Sequence, residues 1–227
     1  MILDPLRDPG EYEIRRRMMV ERQIVPRGVR DPLVLEAMGE IPREIFVEEA
    51  LRTQAYADNA LPIGYGQTIS QPYIVARMTE MLRVSRGDRI LEVGTGTGYQ
   101  TTLLARLGGT VYSLERVSPL AEKAVANLRR LGFENVNIRI ADGSVGWPEH
   151  APFDRILVAA VAPAVPPSLI AQLATGGRLV VPVGTTRSQV LMLVEKTETG
   201  YTERRDEGCT FVRLIGEEGW PEEMPEG

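Results

Sequence analysis

The chain has 227 residues, 43% of them apolar, which suits one domain with a sizeable core. Its 26 basic and 31 acidic residues leave a formal charge of −5 with no basic face, so tight binding of nucleic acid is disfavoured. One cysteine, Cys209, excludes an internal disulfide and a cysteine-cluster metal site, and no stretch approaches the apolar length of a membrane span. The N-terminus does not read as a secretory signal, so a cytoplasmic monomer is expected, with no metal and no membrane partner.

In chain order, residues 11–25 read as a helix with Ile14, Met18 and Ile24 among its apolar positions. Its Arg15-Arg16-Arg17 run is flanked by Glu11, Glu13 and Glu21 and reads as a solvated face. Asp31-Pro32 opens a second short helix, an N-cap followed by proline in the first turn. Pro42 to Val47 forms another helical turn, and residues 54–70 read as a loop. A helix follows Ser70, with Ile74, Met78, Met81 and Leu82 on one face. From Asp88 the rhythm becomes strand, helix, strand. Strands near 89–93, 110–115, 136–141, 154–159 and 178–183 alternate with helices near 98–107, 118–131 and 166–174, the pattern of an α/β fold with a doubly wound, mostly parallel sheet. Val190 to Lys196 and Tyr201 to Leu214 flank Thr197-Glu198-Thr199-Gly200 and read as an antiparallel hairpin at the sheet edge. The acidic tail is expected to be poorly ordered past Trp220. The whole chain, 1–227, is expected to be one domain: a helical N-terminal part with a substrate loop (1–85), an α/β core (86–185), and the hairpin and tail (186–227).

The segment Arg89-Ile90-Leu91-Glu92-Val93-Gly94-Thr95-Gly96-Thr97-Gly98-Tyr99 runs an apolar strand into three glycines spaced every second residue. Glycine lets a ligand lie against the backbone, and the free N–H groups of the following helix favour an anionic group. A dinucleotide fingerprint reads G-x-G-x-x-G/A, but here the third glycine comes one residue early and Tyr99 takes its place. G-x-G-x-G after an acidic residue is the pattern associated with S-adenosylmethionine. Glu115 ends the next strand about twenty residues on, where a carboxylate accepts from ribose hydroxyls; the lesser alternative is a surface glutamate at a strand end. Asp142-Gly143 closes the third strand, where a carboxylate would accept from an adenine amino group; alone, the pair is an ordinary turn.

The available chemistry is narrow. His150, the one histidine, lies in a turn-rich segment, so a histidine base is not expected. Ala159-Ala160-Val161-Ala162-Pro163 after the fourth strand offers no polar side chain to orient an amine, and Cys209 lies far in sequence from the glycines. What remains is a substrate that is already nucleophilic, and a carboxylate is ionised at neutral pH without help. Positioning alone then supplies roughly 7–11 kcal/mol of the barrier. Gln67-Thr68-Ile69-Ser70-Gln71-Pro72 places two hydroxyls at a helix start, with Ser70 as a natural N-cap. Capping accounts for such a serine by itself; Thr68, Ser70 and nearby amides are also suited to cradle a substrate carboxylate.

Ile63-Gly64-Tyr65-Gly66-Gln67-Thr68-Ile69-Ser70-Gln71-Pro72-Tyr73 resembles the signature segment of the protein-L-isoaspartate O-methyltransferases. The run from Met19 to Val47, the glycine segment, Asp142-Gly143 and Gly176 to Gly184 resemble that family too, over residues 19–216. The resemblance implies the class I methyltransferase fold and methyl transfer from S-adenosylmethionine to the α-carboxylate of L-isoaspartyl residues in damaged proteins and peptides, whose esters then close to a succinimide. It implies Ser70 as the catalytic serine with Thr68 beside it at the carboxylate. Ile69, Gln71, Phe211 and Val212 are implied to meet the substrate. Glu92, Gly94, Thr95, Gly96, Gly98 and Tyr99 would border the methionine part of the cofactor, Glu115 the ribose, and Asp142 with Gly143 the adenine. Arg213 stands where proline is expected in many relatives. An isoaspartyl link adds a methylene to the main chain, so recognition is expected to rest on backbone contacts and to tolerate many flanking side chains. The rival readings are another small-molecule carboxyl or hydroxyl methyltransferase, an NAD-dependent oxidoreductase, and a non-catalytic cofactor-binding module.

Overall fold

The computed structural model describes residues 9–222. Helix α1 (Pro9–Met19) passes through a π turn over Val20–Ile24 and a 3₁₀ turn over Val25–Arg27, so the continuous helix expected to residue 25 changes pitch after Met19. Met19 and Ile24 face the core, whereas Ile14 is 50% exposed and Met18 only partly covered. Gly28 ends this stretch in the left-handed region, at φ 98°. In α2 (Pro32–Glu40) the Asp31 carboxylate accepts from the Leu33 and Val34 N–H groups, the cap its sequence predicts. A 3₁₀ turn over Arg43–Phe46 follows as expected.

The segment expected as a loop contains a small hairpin. Strands β1 (Leu61–Gly64) and β2 (Gln67–Ile69) pair antiparallel around Tyr65 and Gly66, both at positive φ (56° and 68°). Helix α3 (Pro72–Leu82) begins one residue later than its apparent cap. Gln71 precedes proline and is therefore extended, at ψ 135°; it holds the N-cap position, and no side chain caps the helix. The face of Ile74, Met78, Met81 and Leu82 is buried, as its spacing predicts.

The main sheet has seven strands in the order β5-β4-β3-β6-β7-β8-β9. These are β3 (Arg89–Val93), β4 (Thr110–Glu115), β5 (Val136–Ile140), β6 (Phe153–Val158), β7 (Leu173–Gly184), β8 (Gln189–Thr197) and β9 (Gly200–Cys209). The first five are parallel, and β8 and β9 add antiparallel to β7. Helices α4 (Tyr99–Leu107), α5 (Ser118–Arg130) and α6 (Pro167–Gln172) supply crossovers. Side chains alternate between two cores, Ile90 and Leu157 facing one layer and Leu91, Val93, Ile156 and Val158 the other. Because the chain leaves β3 toward β4 and later returns beside β3 with β6, the strand order reverses there. Ligands bind outside the carboxyl ends of strands at such a reversal.

Two boundaries move. The helix expected to residue 174 stops at Gln172, and β7 is already extended through Gly176-Gly177, where Gly176 has φ 79°. The strand expected from Tyr201 to Leu214 ends at Cys209. Beyond it the Gln189 side chain bonds both backbone groups of Phe211, and the chain crosses to bridge Arg213 with Val161. Trp220 is described and bonded, its indole N–H donating to the Val161 carbonyl; of the tail expected to be poorly ordered past it, Pro221 and Glu222 are described, with Glu222 paired to Arg116, and Glu223 to Gly227 lie outside the described residues.

Candidate active site

The turn after β3 carries the glycines. Gly94, Gly96 and Gly98 all have positive φ, at 95°, 56° and 95°. A Cβ on Gly98 would lie 3.3 Å from that of Ala124, so the loop also needs small residues to seat against α5. Glu115, at the end of the neighbouring strand, turns its carboxylate back over the loop. One oxygen accepts from the Gly96 N–H at 2.8 Å and the other from the Val117 N–H at 2.9 Å. Each oxygen accepts one bond and so keeps further acceptor capacity, and Glu115 lines the cavity.

Glu92 is placed differently from its expected role. It is fully buried, lies beneath the loop, and does not line the cavity. Its Oε2 accepts from the Thr101 hydroxyl at 2.5 Å and the Ser113 hydroxyl at 2.6 Å, while Oε1 has no partner. Burial pushes its pKa up to about 8 against the downward pull of those hydroxyls. Ser113 also meets the Thr95 hydroxyl at 2.6 Å, so Glu92 acts on the cavity wall through Thr95.

One cavity joins these residues to the segment before α3. Gly94, Thr95, Gly96, Thr97, Tyr99 and Glu115 form one wall, Thr68, Ile69 and Ser70 another, and Ala159, Ala160, Gly143 and the stretch from Phe211 to Ile215 close it. A second groove, lined by Gln71, Asn59, Arg187, Gln189 and Thr210 among others, shares Ser70 and Phe211 with the first. Ser70 thus stands where the two spaces meet. Its side chain makes no cap bond, so helix capping does not account for it. Thr68 lies in strand β2 and is exposed, rather than at the helix start.

Asp142 does not line the first cavity. One carboxylate oxygen accepts from the Ser144 N–H and hydroxyl, and the other from the Glu217 N–H at 2.8 Å. It faces a shallower groove that shares Arg116, Ala141 and Ile215 with the main cavity. Gly143 is required by packing: an added Cβ would lie 2.3 Å from Val93 Cγ1.

Phe211 and Val212 reach the cavity wall, but their backbone is largely used. Phe211 N–H and C=O are taken by Gln189, and the Val212 carbonyl accepts from Val161 N–H at 2.8 Å. Leu214 N–H donates to Val161 C=O, so the parallel bridge turns the Arg213 peptide groups away from that partner.

Arg43 stands behind the site, although its sequence marks it only as part of the Met19 to Val47 run that resembles the family. This fully buried guanidinium donates to the Ala55 carbonyl and the Ser70 carbonyl, each at 2.7 Å, with its carbon 4.8 Å from the centre of the Tyr99 ring. It ties the serine to the first residue of α4. Its signal was weak, since an arginine after Ile41-Pro42 reads as surface. Tyr99, where a dinucleotide fold would need a small residue, packs its ring on Phe46 at 5.4 Å and reaches Met38. His150 instead stacks on Tyr112 at 4.4 Å and lines neither the cavity nor the second groove. The Cys209 thiol is pushed up to about 12 by burial, with Glu207 adding to the shift, so it stays protonated at neutral pH.

The sequence model of the protein-L-isoaspartate(D-aspartate) O-methyltransferase family matches residues 15–219. The chain belongs to that family. It is a carboxyl O-methyltransferase that uses S-adenosylmethionine. The protein-L-isoaspartate O-methyltransferase of Geobacter metallireducens is 55% identical over 210 residues, covering 92% of this chain and 97% of its own. That of Trichlorobacter lovleyi is 52% identical over 210 residues, covering 92% and 97%. Among solved structures, a protein-L-isoaspartate O-methyltransferase superposes with a TM-score of 0.79 at 31% identity, covering 91% of this chain and 66% of that one. A putative enzyme of the same name from Plasmodium falciparum, in complex with S-adenosyl-L-homocysteine, gives 0.75 at 28% identity, covering 88% and 98%. The expected fold, a mostly parallel class I methyltransferase sheet with a terminal antiparallel hairpin, is the one observed. An NAD-dependent oxidoreductase is set aside with it.

Proposed function

We propose that Ser70 and Thr68 orient the α-carboxylate of an L-isoaspartyl residue at the junction of the two spaces, and that this positioning is the main catalytic act of the protein chain. The observation that carries the reading is Ser70 itself, uncapped, shared by the cavity and the groove, and fixed from behind by Arg43. When bound, S-adenosylmethionine supplies an electrophilic methyl group on a sulfonium leaving group. The residues suited to hold it are the glycine loop from Gly94 to Gly98 with Thr95 and Tyr99 around the methionine part and Glu115 at the ribose. Asp142 and Gly143 stand at the adenine end, and Glu92 supports the loop from below through Ser113. The loop fits because its cradle is free of side chains at Gly94 and Gly96 and because Glu115 retains acceptor capacity.

A carboxylate substrate arrives ionised, so no residue has to take a proton from it. The Ser70 hydroxyl donates to one carboxylate oxygen and steadies the other toward the cavity. Ile69 is buried behind the hydroxyl pair, while Gln71, Phe211 and Val212 border the peptide's path. The chain works in this reading as one cytoplasmic, monomeric unit, on isoaspartyl proteins and peptides rather than on nucleic acid, which agrees with a net charge of −5. The product ester closes to a succinimide and partly reopens as aspartate, which is the repair. Labelled-methyl transfer to matched peptides tests the reading: the isoaspartyl peptide accepts methyl and its aspartyl twin does not. Equal labelling of both, or labelling of small carboxylic acids alone, would replace this substrate with a different carboxylate.

A further inference from the structure

Four arginines line the cavity and the adjoining groove, and two of them are neutralised. Arg27 pairs with Asp58 and Glu207, and Arg116 pairs with Glu222. Two are not. Arg213 lines the cavity and Arg187, in the turn between β7 and β8, lines the second groove. Both are exposed, and neither enters any ion pair among the described residues. On a molecule of net charge −5, two guanidinium groups without ion pairs, one in each of the two spaces that share Ser70, add positive charge to the site. Arg213 adds a second capability. Its peptide N–H and C=O are turned away from Val161 and have no backbone partner among the described residues, so they are open to an extended peptide.

We propose that Arg213 and Arg187 set a charge preference in substrate choice, favouring isoaspartyl peptides with acidic side chains on both flanks of the damaged residue. The proposal rests on the isoaspartyl reading above and refines the tolerance expected of backbone recognition: what is selected is charge, not side-chain identity. Arg213 pairs its peptide group with the substrate main chain and sends its guanidinium to a neighbouring carboxylate. Arg187 meets the carboxylate on the other flank. Guanidinium and carboxylate match in a two-point geometry that lysine does not reproduce.

The test uses the full chain and three peptides with one isoaspartyl centre and Glu, Gln or Lys on both flanks, compared by kcat/KM at low and high salt. The Glu-flanked peptide is expected to exceed the Lys-flanked one about tenfold at low salt, roughly three- to fivefold for each exposed pair, and the gap narrows as salt rises. Arg213→Ala and Arg187→Ala each shrink the Glu-to-Lys ratio, and Arg213→Glu with Arg187→Glu inverts it. Equal kcat/KM for all three peptides in the unmodified protein overturns the proposal while leaving the isoaspartyl reading in place. So does an Arg213→Ala variant that keeps the ratio but loses S-adenosylmethionine affinity in calorimetry, since Arg213 would then serve the cofactor. Failure to label any of the three overturns the isoaspartyl reading, and the proposal with it.

Discussion

In the proposed reading Ser70 and Glu115 carry separable tasks, and single substitutions should separate them. Ser70→Ala removes one hydrogen bond to a charged group, a loss of about 1.5–3 kcal/mol. Turnover is expected to fall roughly ten- to a hundredfold, with the dissociation constant of S-adenosylmethionine unchanged. Unaltered steady-state kinetics would take the serine out of the reaction. Glu115→Ala releases both the Gly96 and Val117 N–H groups and any ribose contact, so cofactor affinity is expected to drop tenfold or more in calorimetry. Retained affinity would place the ribose elsewhere. At this scale the sequence is legible where spacing alone sets position: Gly94, Gly96, Glu115 and the Thr68–Ser70 pair all lie on one cavity, while Gly98 faces α5 instead. Asp142 and Glu92 were legible as acidic residues at strand ends but not by their partners, because Glu217 and Ser113 come close only through the fold.

At the scale of elements, the parallel strands and their helices follow from hydrophobic period, and their ends agree with it to within a residue or two except around Gly176. The β1–β2 hairpin escaped that analysis. Strands of four and three residues are too short to show alternation, and their turn depends on a positive φ at Tyr65, a residue type that rarely adopts it. Two arginines join elements that sequence keeps apart. Arg77 of α3 makes a two-point pair with Asp206 of β9, at 2.8 and 2.6 Å, and holds that aspartate's pKa down. Arg43 is wholly enclosed, and burial lowers its own pKa. Arg43→Met strands the buried Ala55 carbonyl and the partly buried Ser70 carbonyl, at about 1–3 kcal/mol for a fully buried group and less for the other. A loss of about 2–5 kcal/mol in unfolding free energy is therefore expected from urea titration. A loss below about 0.5 kcal/mol would show that water satisfies those carbonyls.

For the whole molecule, Glu92 makes stability depend on pH. An unfolded glutamate ionises near 4.5, whereas the buried one keeps its proton to about 8. Between those values the folded chain binds the extra proton, so the contribution of Glu92 to stability is fully present below 4.5 and declines as pH rises toward 8, by at most about 1.4 kcal/mol per unit. Glu92→Gln is expected to flatten the decline across pH 5–8 in denaturant titrations. Identical slopes in the two proteins would mean that Glu92 is ionised in the fold.

The closeness of Gly216 to Asp142 has a consequence for exchange. A Cβ at Gly216 would fall 2.0 Å from the Asp142 carboxylate, and Glu217 N–H is bonded to that same group across 75 positions of chain. This glycine therefore works as a latch seat. Enlarging it by a single methyl, in Gly216→Ala, should prise the 217–222 stretch away and open the groove at Asp142 that is proposed to take the adenine end. Spent cofactor would then escape faster, visible as a higher dissociation rate for S-adenosylhomocysteine in stopped-flow.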